Sequence, residues 1–327
     1  MRDPIENKVF QWDQSRDNKF SDINRKINHL DKRLFFDYEP TLGPQSNFLT
    51  RLSMWLDNFQ DEKDQQILFE MVPHLFYVGR EEFNVLYREA YNTHYARWAV
   101  EVANIDIYSE DARKSLDLVV EETWFCPLTD SLRINQFYHV NNVSGKNDYR
   151  PDWRSLVMFG DDEKIKNYVQ VNNIKNIVLL EDFIGNGGQV SKAVNLAIRL
   201  FPDINLLIIP LIICPNGMKN AQELVNKYPN VSISPVISMP EHNFINEDLK
   251  GDQTDFFLDA FDLAQRSYQQ VANSIVIDDK IDPYGPFGWQ RTGGMIITYS
   301  NTPNNTLPLI HNVSNTWFPL FKRHKRV

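Results

Sequence analysis

Five short apolar segments, separated by helical ones, constrain the fold of this chain most strongly. They lie at 123–128, 153–159, 177–180, 205–213 and 231–237. The segments between them carry apolar residues at the three- and four-residue spacing of an amphipathic helix. Strands of a parallel sheet read as continuous apolar runs, because helices cover both faces of the sheet. The alternation therefore predicts an α/β domain with a parallel sheet.

The N-terminal part of the chain has a different pattern, which predicts helices. Apolar residues follow at three- and four-residue intervals over 20–34, and helical periodicity resumes over 46–103. Many aromatic residues lie in this region, and we expect them to form its core. We predict two domains, a helical N-terminal region over 1–105 and an α/β domain over 106–327.

Composition and charge argue against several classes of protein. The net charge of −9 disfavours general coating of nucleic acid. Cys126 and Cys214 lie inside apolar runs and are predicted to be buried free thiols. The seven histidines lack the spacing of zinc ligands. The polar N-terminus predicts no signal peptide, and no apolar run approaches the ~20 residues of a membrane span. We expect a cytoplasmic protein without a membrane partner.

An apolar strand, two carboxylates and a glycine-rich loop follow one another in IVLLEDFIGNGGQ, residues 177–189. Ligands of parallel sheets bind beyond the carboxyl ends of the strands, where Glu181 and Asp182 are predicted to lie. Glycines let backbone N–H groups converge on an anion at a helix N-terminus. Since carboxylates repel phosphate, they should face hydroxyl groups or a metal ion, and a ribose 5′-phosphate satisfies both demands. Neither a G-x-G-x-x-G pattern nor a Walker lysine is present.

This arrangement resembles the phosphoribosyl-pyrophosphate loop of the phosphoribosyltransferase family. Glu181 and Asp182 match the acidic pair of that family, and Gly187 and Gly188 match its glycines. The resemblance implies a parallel-sheet phosphoribosyltransferase-like core behind the N-terminal helices. It also implies that the two carboxylates hold ribose hydroxyls, and that they bind Mg²⁺ together with phosphoribosyl pyrophosphate.

Two residues of the loop depart from the family pattern. Asn186 stands where threonine is usual, and Gln189 stands where a second threonine or serine is usual. Both side chains still form hydrogen bonds, so the loop from Gly185 to Gln189 is expected to bind the 5′-phosphate. The amides are longer than the hydroxyl donors that they replace.

The resemblance extends to a divergent bacterial phosphoribosyltransferase-like family of conflict and antiviral gene neighbourhoods, some beside retron reverse transcriptases. The similar stretches are FLTRLSMWLDNF, the PLTDS segment, the acidic-glycine loop and the tail from NTPNNTLPLI to PLFKR, which together cover about 46–323. The resemblance implies an effector of a bacterial defence system. Its expected partners are a defence protein such as a reverse transcriptase with its nucleic acid, and self-association through the helical region is also expected.

The segment PLTDSLRINQF, residues 127–137, follows the first apolar strand of the α/β domain. In phosphoribosyltransferases the corresponding loop holds pyrophosphate, so the resemblance assigns this role to Thr129, Asp130, Ser131 and Arg133. The alternative is helix capping, with Asp130 or Ser131 at the N-cap of the next helix. A helix terminus can serve both purposes, and both interpretations stay open here.

Two further segments contain candidate ligand-binding residues. Trp289 could stack on a base and Arg291 could pair with a phosphate or carboxylate, or Trp289 could be an aromatic plug at a sheet edge. Asn304 and Asn305 could contact a base edge or support the ribose site, or they could simply form a turn.

The basic run at 322–326 is typical of a solvated tail. On an acidic chain it is also the one credible electrostatic contact for nucleic acid.

Two functions of different classes follow from these observations. The first is an enzyme that transfers or cleaves at the anomeric carbon of a ribose phosphate, with catalysis by positioning and electrostatics. The second is a non-catalytic nucleotide-binding scaffold or effector subunit. Asn186 and Gln189, together with the large helical region, favour the second.

Overall fold

The strands of this chain, each parallel to its neighbours, belong to two separate sheets. The computed structural model describes residues 4–14, 18–41, 47–143, 161–246, 254–273 and 285–324. Its strands are β1 (Phe76–Val78), β2 (Thr123–Pro127), β3 (Asn176–Ile184), β4 (Asn205–Ile213), β5 (Val231–Ile233), β6 (Ile237–Ser238) and β7 (Ile296–Thr298). β1 pairs with β7, and the others form a sheet in the order β2-β3-β4-β5, with β6 also on β4.

Helices precede, separate and follow these strands in the described residues. They are α1 (Pro4–Asp13), α2 (Lys19–Arg33), α3 (Phe48–Leu56), α4 (Glu62–Met71), α5 (Arg80–Glu89), α6 (Ala96–Val102), α7 (Ala112–Glu121), α8 (Ile134–Asn141), α9 (Asp162–Val171), α10 (Gly188–Leu200), α11 (Pro215–Lys227), α12 (Asp255–Ala272) and α13 (Pro308–His311). A π-helical segment, Ala90–Tyr95, joins α5 to α6. Short 3₁₀ turns lie at Phe35–Asp37, Val72–His74, Glu241–Asn243 and Trp289–Arg291.

The chain divides into two compact units, and both chain ends belong to the same one. Unit 1 joins Met1–Arg80 with Glu241–Val327, and unit 2 is Glu81–Pro240. The boundaries expected from the sequence, 1–105 and 106–327, follow chain order and differ from this division. Residues 81–105 fall in unit 2 because Tyr91 and Tyr95 pack on Phe125 of its sheet.

The sheet of unit 2 is buried on both faces. On one face α9, α10 and α11 pack against strand residues such as Trp124, Leu179 and Ile208, all of which have no exposed surface. On the other face Phe125 contacts Tyr95 and Phe137, with ring centroids 4.8 and 5.7 Å apart. Two-sided burial is the physical reason that these strands contain continuous apolar runs, such as 177–180 in β3 and 206–213 in β4.

Unit 1 is held together by bonds between distant parts of the sequence. Arg51 Nε in α3 donates to the carbonyl of Leu320 at 3.0 Å, and Trp55 Nε1 donates to that of Leu309 at 2.7 Å. Both side chains are buried. The N-terminal helices therefore form their core with C-terminal residues.

The predicted fold class is confirmed, since the chain is α/β with parallel sheets and a helical N-terminal region. Cys126 and Cys214 are buried free thiols, as predicted. The strand predicted at 153–159 lies outside the described residues. In the described part of the chain, no helix has both the length and the apolar character needed to cross a membrane.

We predict that Leu179→Ala in the central strand β3 lowers the free energy of unfolding by about 2–5 kcal/mol, because it opens a cavity in a closed core. Val171→Ala is the control, since Val171 is 72% exposed. The control should change stability by less than about 0.5 kcal/mol. Urea unfolding measures both variants, and similar losses in the two would contradict the buried position of Leu179.

Candidate functional site

The acidic pair lies where β3 extends beyond its shorter neighbour β2. β2 ends at Pro127, opposite Leu180, and the amide of Leu128 donates to the carbonyl of Leu180 at 2.8 Å. β3 continues to Ile184, paired on its other side with β4. Residues 128–133, which we call the cover segment, follow β2 and lie beside Glu181 and Asp182. The pair therefore lies within the last four residues of β3 rather than after it.

Thr129 binds the Glu181 carboxyl group through both its backbone and its side chain. Its amide N–H donates to Oε2 of Glu181 at 3.0 Å, and its hydroxyl oxygen lies 2.6 Å from Oε1. Glu181 is only 3% exposed. A buried carboxyl group needs such partners, and the cover segment supplies them.

Ser131 connects the two acidic residues. Its hydroxyl donates to Oδ1 of Asp182 at 2.6 Å and lies 3.4 Å from Oε1 of Glu181. It also lies 2.6 Å from the hydroxyl of Thr129. The structure thus brings four of the predicted site residues into one hydrogen-bonded cluster within unit 2.

The short contacts in this cluster require one proton more than its hydroxyl groups provide. Glu181 Oε1 to Thr129 Oγ1, Thr129 Oγ1 to Ser131 Oγ, and Ser131 Oγ to Asp182 Oδ1 are each 2.6 Å, a distance typical of O–H···O bonds. Each hydroxyl supplies one proton. If both carboxyl groups were ionised, each hydroxyl would donate its single proton to a carboxylate. The two hydroxyl oxygens would then lie 2.6 Å apart with no proton between them. We infer that the acidic pair carries one proton.

The pKa of the Glu181 carboxyl group is raised well above its ordinary value. Burial is the main cause of the raised pKa, and the Asp182 carboxylate is the second. Hydrogen bonds from Thr129 and Ser131 act in the opposite direction. Two adjacent carboxyl groups in a dry environment commonly share one proton in this way.

The glycine loop turns the chain from β3 into α10. Gly187 has φ +78°, a left-handed conformation that favours glycine, and α10 begins at the next residue. Gly188 and Gln189 are exposed, whereas Gly185 is buried and Asn186 is half-buried. The first N–H groups of a helix have no partner within that helix, and the helix dipole makes this end positive. The loop has the geometry of an anion-binding site.

Helix α11, which belongs to the next strand-helix unit, packs against this loop. The amide of Cys214 donates to the carbonyl of Ile184 at 2.8 Å, and Nδ2 of Asn220 donates to the carbonyl of Asn186 at 2.6 Å. Gly217 approaches so closely that an added Cβ would lie 2.8 Å from the carbonyl oxygen of Gly185. Neither Gly217 nor Asn220 was predicted from the sequence as part of the site. The sequence pattern that could have identified them is a glycine and an asparagine three residues apart in a helix that follows a core strand.

The cover segment does not act as a helix cap. The N-cap of α8 is Arg133, and no side chain makes a capping hydrogen bond there. The hydroxyl of Ser131 instead binds the acidic pair. Asp130 and Arg133 are exposed on the same segment. The capping interpretation is therefore wrong, and the pyrophosphate role of the segment stays a prediction.

The acidic pair does not fit a resident magnesium site. Mg²⁺ takes near-octahedral oxygen ligands, usually one or two carboxylates with water and phosphate oxygens. Both oxygens of Glu181 are already hydrogen-bonded to Thr129, so this carboxyl group is not available as a metal ligand. Among the described residues, no group of three or more His, Cys, Asp or Glu side chains could hold a metal ion. Magnesium that binds together with phosphoribosyl pyrophosphate stays a prediction.

The remaining candidate ligand-binding residues lie in unit 1. Nδ2 of the buried Asn305 donates to the hydroxyl of Thr292 at 2.8 Å, and the carbonyl of Asn304 accepts from the amide of Trp289 at 2.8 Å. Arg291 is exposed and has φ +56°. The Asn305 amide thus stabilises a turn, as the turn interpretation expects. Ligand contacts of the other three side chains stay predictions.

The basic run at the C-terminus is partly folded onto unit 1. Arg323 Nη1 donates to the carbonyl of Thr302 at 2.5 Å, and the carbonyl of Lys322 accepts from the hydroxyl of Tyr38 at 2.8 Å. Residues 325–327 lie outside the described residues. The beginning of this run is therefore part of the fold.

We predict that wild-type protein loses stability relative to Glu181→Gln as pH rises. A group whose pKa is raised by folding stabilises the protein fully below its ordinary pKa, and this contribution disappears as pH rises through the folded-state pKa. Glutamine keeps a donor for Thr129 Oγ1 and an acceptor for the Thr129 amide without titrating. Urea unfolding of both proteins across a pH series measures the difference. Parallel stability curves would show that Glu181 carries no raised pKa.

We predict that Gly217→Ala destabilises the protein by about 1–3 kcal/mol, because the new methyl group meets backbone atoms that cannot move aside. Helix propensity alone would stabilise this variant by about 1 kcal/mol, so a net loss identifies the close approach. Glu223→Ala on the exposed side of α11 is the control. A stabilised Gly217→Ala variant would contradict the packing of α11 on the loop.

Comparisons with known proteins give one result. The curated proteins and the solved structures contain no significant match to this chain. A protein-family comparison matches residues 52–323 to PRTase-CE, and this range includes the acidic pair, the glycine loop and the cover segment. The match covers most of the chain and nearly the whole stretch in which the sequence resembles phosphoribosyltransferases. The chain belongs to the PRTase-CE family of phosphoribosyltransferase-like proteins.

Proposed function

We propose that this PRTase-CE protein binds a ligand containing ribose 5-phosphate, either phosphoribosyl pyrophosphate or a nucleotide, at the carboxyl edge of β3. The 5′-phosphate would lie on the loop from Gly185 to Gln189, against the N-terminus of α10. The ribose hydroxyls would face Glu181 and Asp182. The cover segment, with Thr129 to Arg133, would lie beside the pyrophosphate or the remainder of the ligand.

The main support for this proposal is the backbone geometry of the unit formed by β3, the glycine loop and α10. Left-handed Gly187 places α10 directly after the acidic pair, and the exposed Gly188 has no atom within 4 Å of the position of an added Cβ. Open space at a helix N-terminus suits an anion. The neighbouring carboxyl groups suit hydroxyl groups and not a second phosphate. A phosphorylated sugar carries both kinds of group on one molecule.

The chemistry supported best is transfer or cleavage at the anomeric carbon. Such reactions pass through a cationic, oxocarbenium-like sugar, and the protein contributes mainly position and electrostatics. Asp182 would stabilise positive charge on the sugar, and Glu181 would hold a ribose hydroxyl. Magnesium would neutralise charge on pyrophosphate when it arrives with that donor.

A second candidate function is nucleotide binding without turnover, in a scaffold or effector subunit. Two observations favour it. Asn186 and Gln189 replace the hydroxyl residues of the usual loop. In addition, both oxygens of Glu181 are hydrogen-bonded to Thr129, so this carboxyl group has a structural role.

The biological setting that we propose comes from the sequence resemblance. It is a cytoplasmic effector of a bacterial antiviral defence system, with a reverse transcriptase and its nucleic acid as candidate partners. Self-association belongs to the same proposal. A complex of defined mass with such a partner would support it.

We predict that Gly188→Asp binds ribose 5-phosphate at least roughly tenfold more weakly than Gly188→Asn, because a carboxylate in the cradle repels the phosphate. The two side chains have nearly the same size, and the site has room for either. An aspartate in the first helical turn should keep or raise the melting temperature. Calorimetric titration and thermal melting measure the two effects, which have opposite directions.

Equal binding by the two variants, or no binding of ribose 5-phosphate by wild type, would overturn the proposed site. Incubation of wild type with phosphoribosyl pyrophosphate and magnesium then separates the two candidate functions. Release of pyrophosphate supports the enzyme. Tight binding of the donor without release supports the scaffold.

A further inference from the structure

The two hydroxyl groups of the cover segment are arranged like the vicinal hydroxyls of a ribose. Oγ1 of Thr129 and Oγ of Ser131 lie 2.6 Å apart, close to the spacing of hydroxyls on adjacent carbons of a sugar ring. Each contacts a different member of the acidic pair at 2.6 Å, Thr129 on Glu181 and Ser131 on Asp182. The carboxyl oxygens that would hold a ribose diol therefore already hold a pair of hydroxyls from the chain itself.

We propose that the cover segment keeps the site closed by imitating the ribose diol, so that a ribose ligand binds only when Thr129 and Ser131 leave the acidic pair. This inference rests on the proposed function. It adds a competition between the chain and its ligand for the same two acceptor atoms, Oε1 of Glu181 and Oδ1 of Asp182.

The attachment of the cover segment suits such an exchange. Leu128 and Leu132, 7% and 4% exposed, anchor it on either side. Between these anchors Thr129 and Ser131 are half-buried, and Asp130 is exposed. The contacts of this stretch with the acidic pair include two hydroxyl groups and one backbone N–H. A ribose diol replaces the two hydroxyl contacts with equivalent ones, so the carboxyl groups keep their partners during the exchange.

A structural role alone makes a different prediction from competition. If Ser131 merely supports the pocket, its removal weakens ligand binding. If Ser131 competes with the ligand, its removal strengthens binding, and only for ligands with both hydroxyls. Inorganic phosphate, which does not reach the acidic pair through hydroxyls, is indifferent to the change.

The experiment compares wild type with Ser131→Ala in calorimetric titrations of ribose 5-phosphate, 2-deoxyribose 5-phosphate and inorganic phosphate. Ser115→Ala on α7, a half-buried serine outside the site, is the control. We expect about tenfold tighter binding of ribose 5-phosphate by Ser131→Ala, since one competing hydrogen bond is removed. The gain should be smaller for the deoxy sugar and absent for phosphate and for the control.

A second measurement uses wild type alone and does not depend on the folding of a variant. The amide N–H of Thr129 is bonded to Oε2 of Glu181 at 3.0 Å. Saturating ribose 5-phosphate should accelerate hydrogen exchange in the cover segment while slowing it in residues 185–190. Most ligands slow exchange wherever they bind, so acceleration identifies release of the segment.

The outcomes distinguish the two proposals. If ribose 5-phosphate binds wild type, but Ser131→Ala binds it no more tightly and exchange of the cover segment does not accelerate, the competition is overturned and the proposed function stands. If neither ribose 5-phosphate nor phosphate binds any of the proteins, the proposed function fails and the competition fails with it. Tighter binding by Ser131→Ala together with faster exchange supports both.

Discussion

The contact between the cover segment and the two carboxyl groups of β3 is the interaction on which the candidate site depends. Glu181 follows the buried apolar run 177–180 of β3 and lies opposite Pro210 of β4, and a carboxyl group there is costly without hydrogen-bond partners. Because β2 is shorter than β3, the residues that follow it reach the acidic pair and supply those partners. The length difference between two strands thus determines where polar chemistry is possible. It also makes one proton part of the folded structure.

The loop beside this cluster takes its shape from helix α11 as well as from its own glycines. Left-handed Gly187 turns the chain, but Gly217 and Asn220 determine how closely the next helix can approach it. A phosphate cradle needs N–H groups that are already oriented before the ligand arrives, because reorganisation reduces affinity. Packing between consecutive strand-helix units provides this rigidity from outside the loop.

The sequence was sufficient to predict the parallel sheet, because strands buried on both faces leave a continuous apolar pattern at 177–180 and 205–213. It also located the acidic pair and the loop, since carboxylates and glycines in that order are unusual in a buried strand. It could not predict that Thr129 and Ser131 bond to Glu181 and Asp182, because hydrogen bonds between residues about fifty positions apart leave no periodic signal. The division into units was missed for a related reason. The carbonyls of Leu309 and Leu320, which hold Trp55 and Arg51, are backbone groups that every residue possesses.

The construction of unit 1 from both chain ends affects how the protein forms on the ribosome. Unit 2 is complete in sequence once residue 240 has been synthesised, and every described strand of its sheet precedes that residue. The N-terminal helices lack their acceptors at Leu309 and Leu320 until nearly the whole chain has emerged. During that interval the apolar faces of α1 to α4 have no C-terminal partner. Nascent chains should therefore be most prone to aggregation and to chaperone capture through their N-terminal residues, which are synthesised first. A truncation that removes β7 and the residues after it should leave unit 2 folded while the N-terminal helices remain exposed.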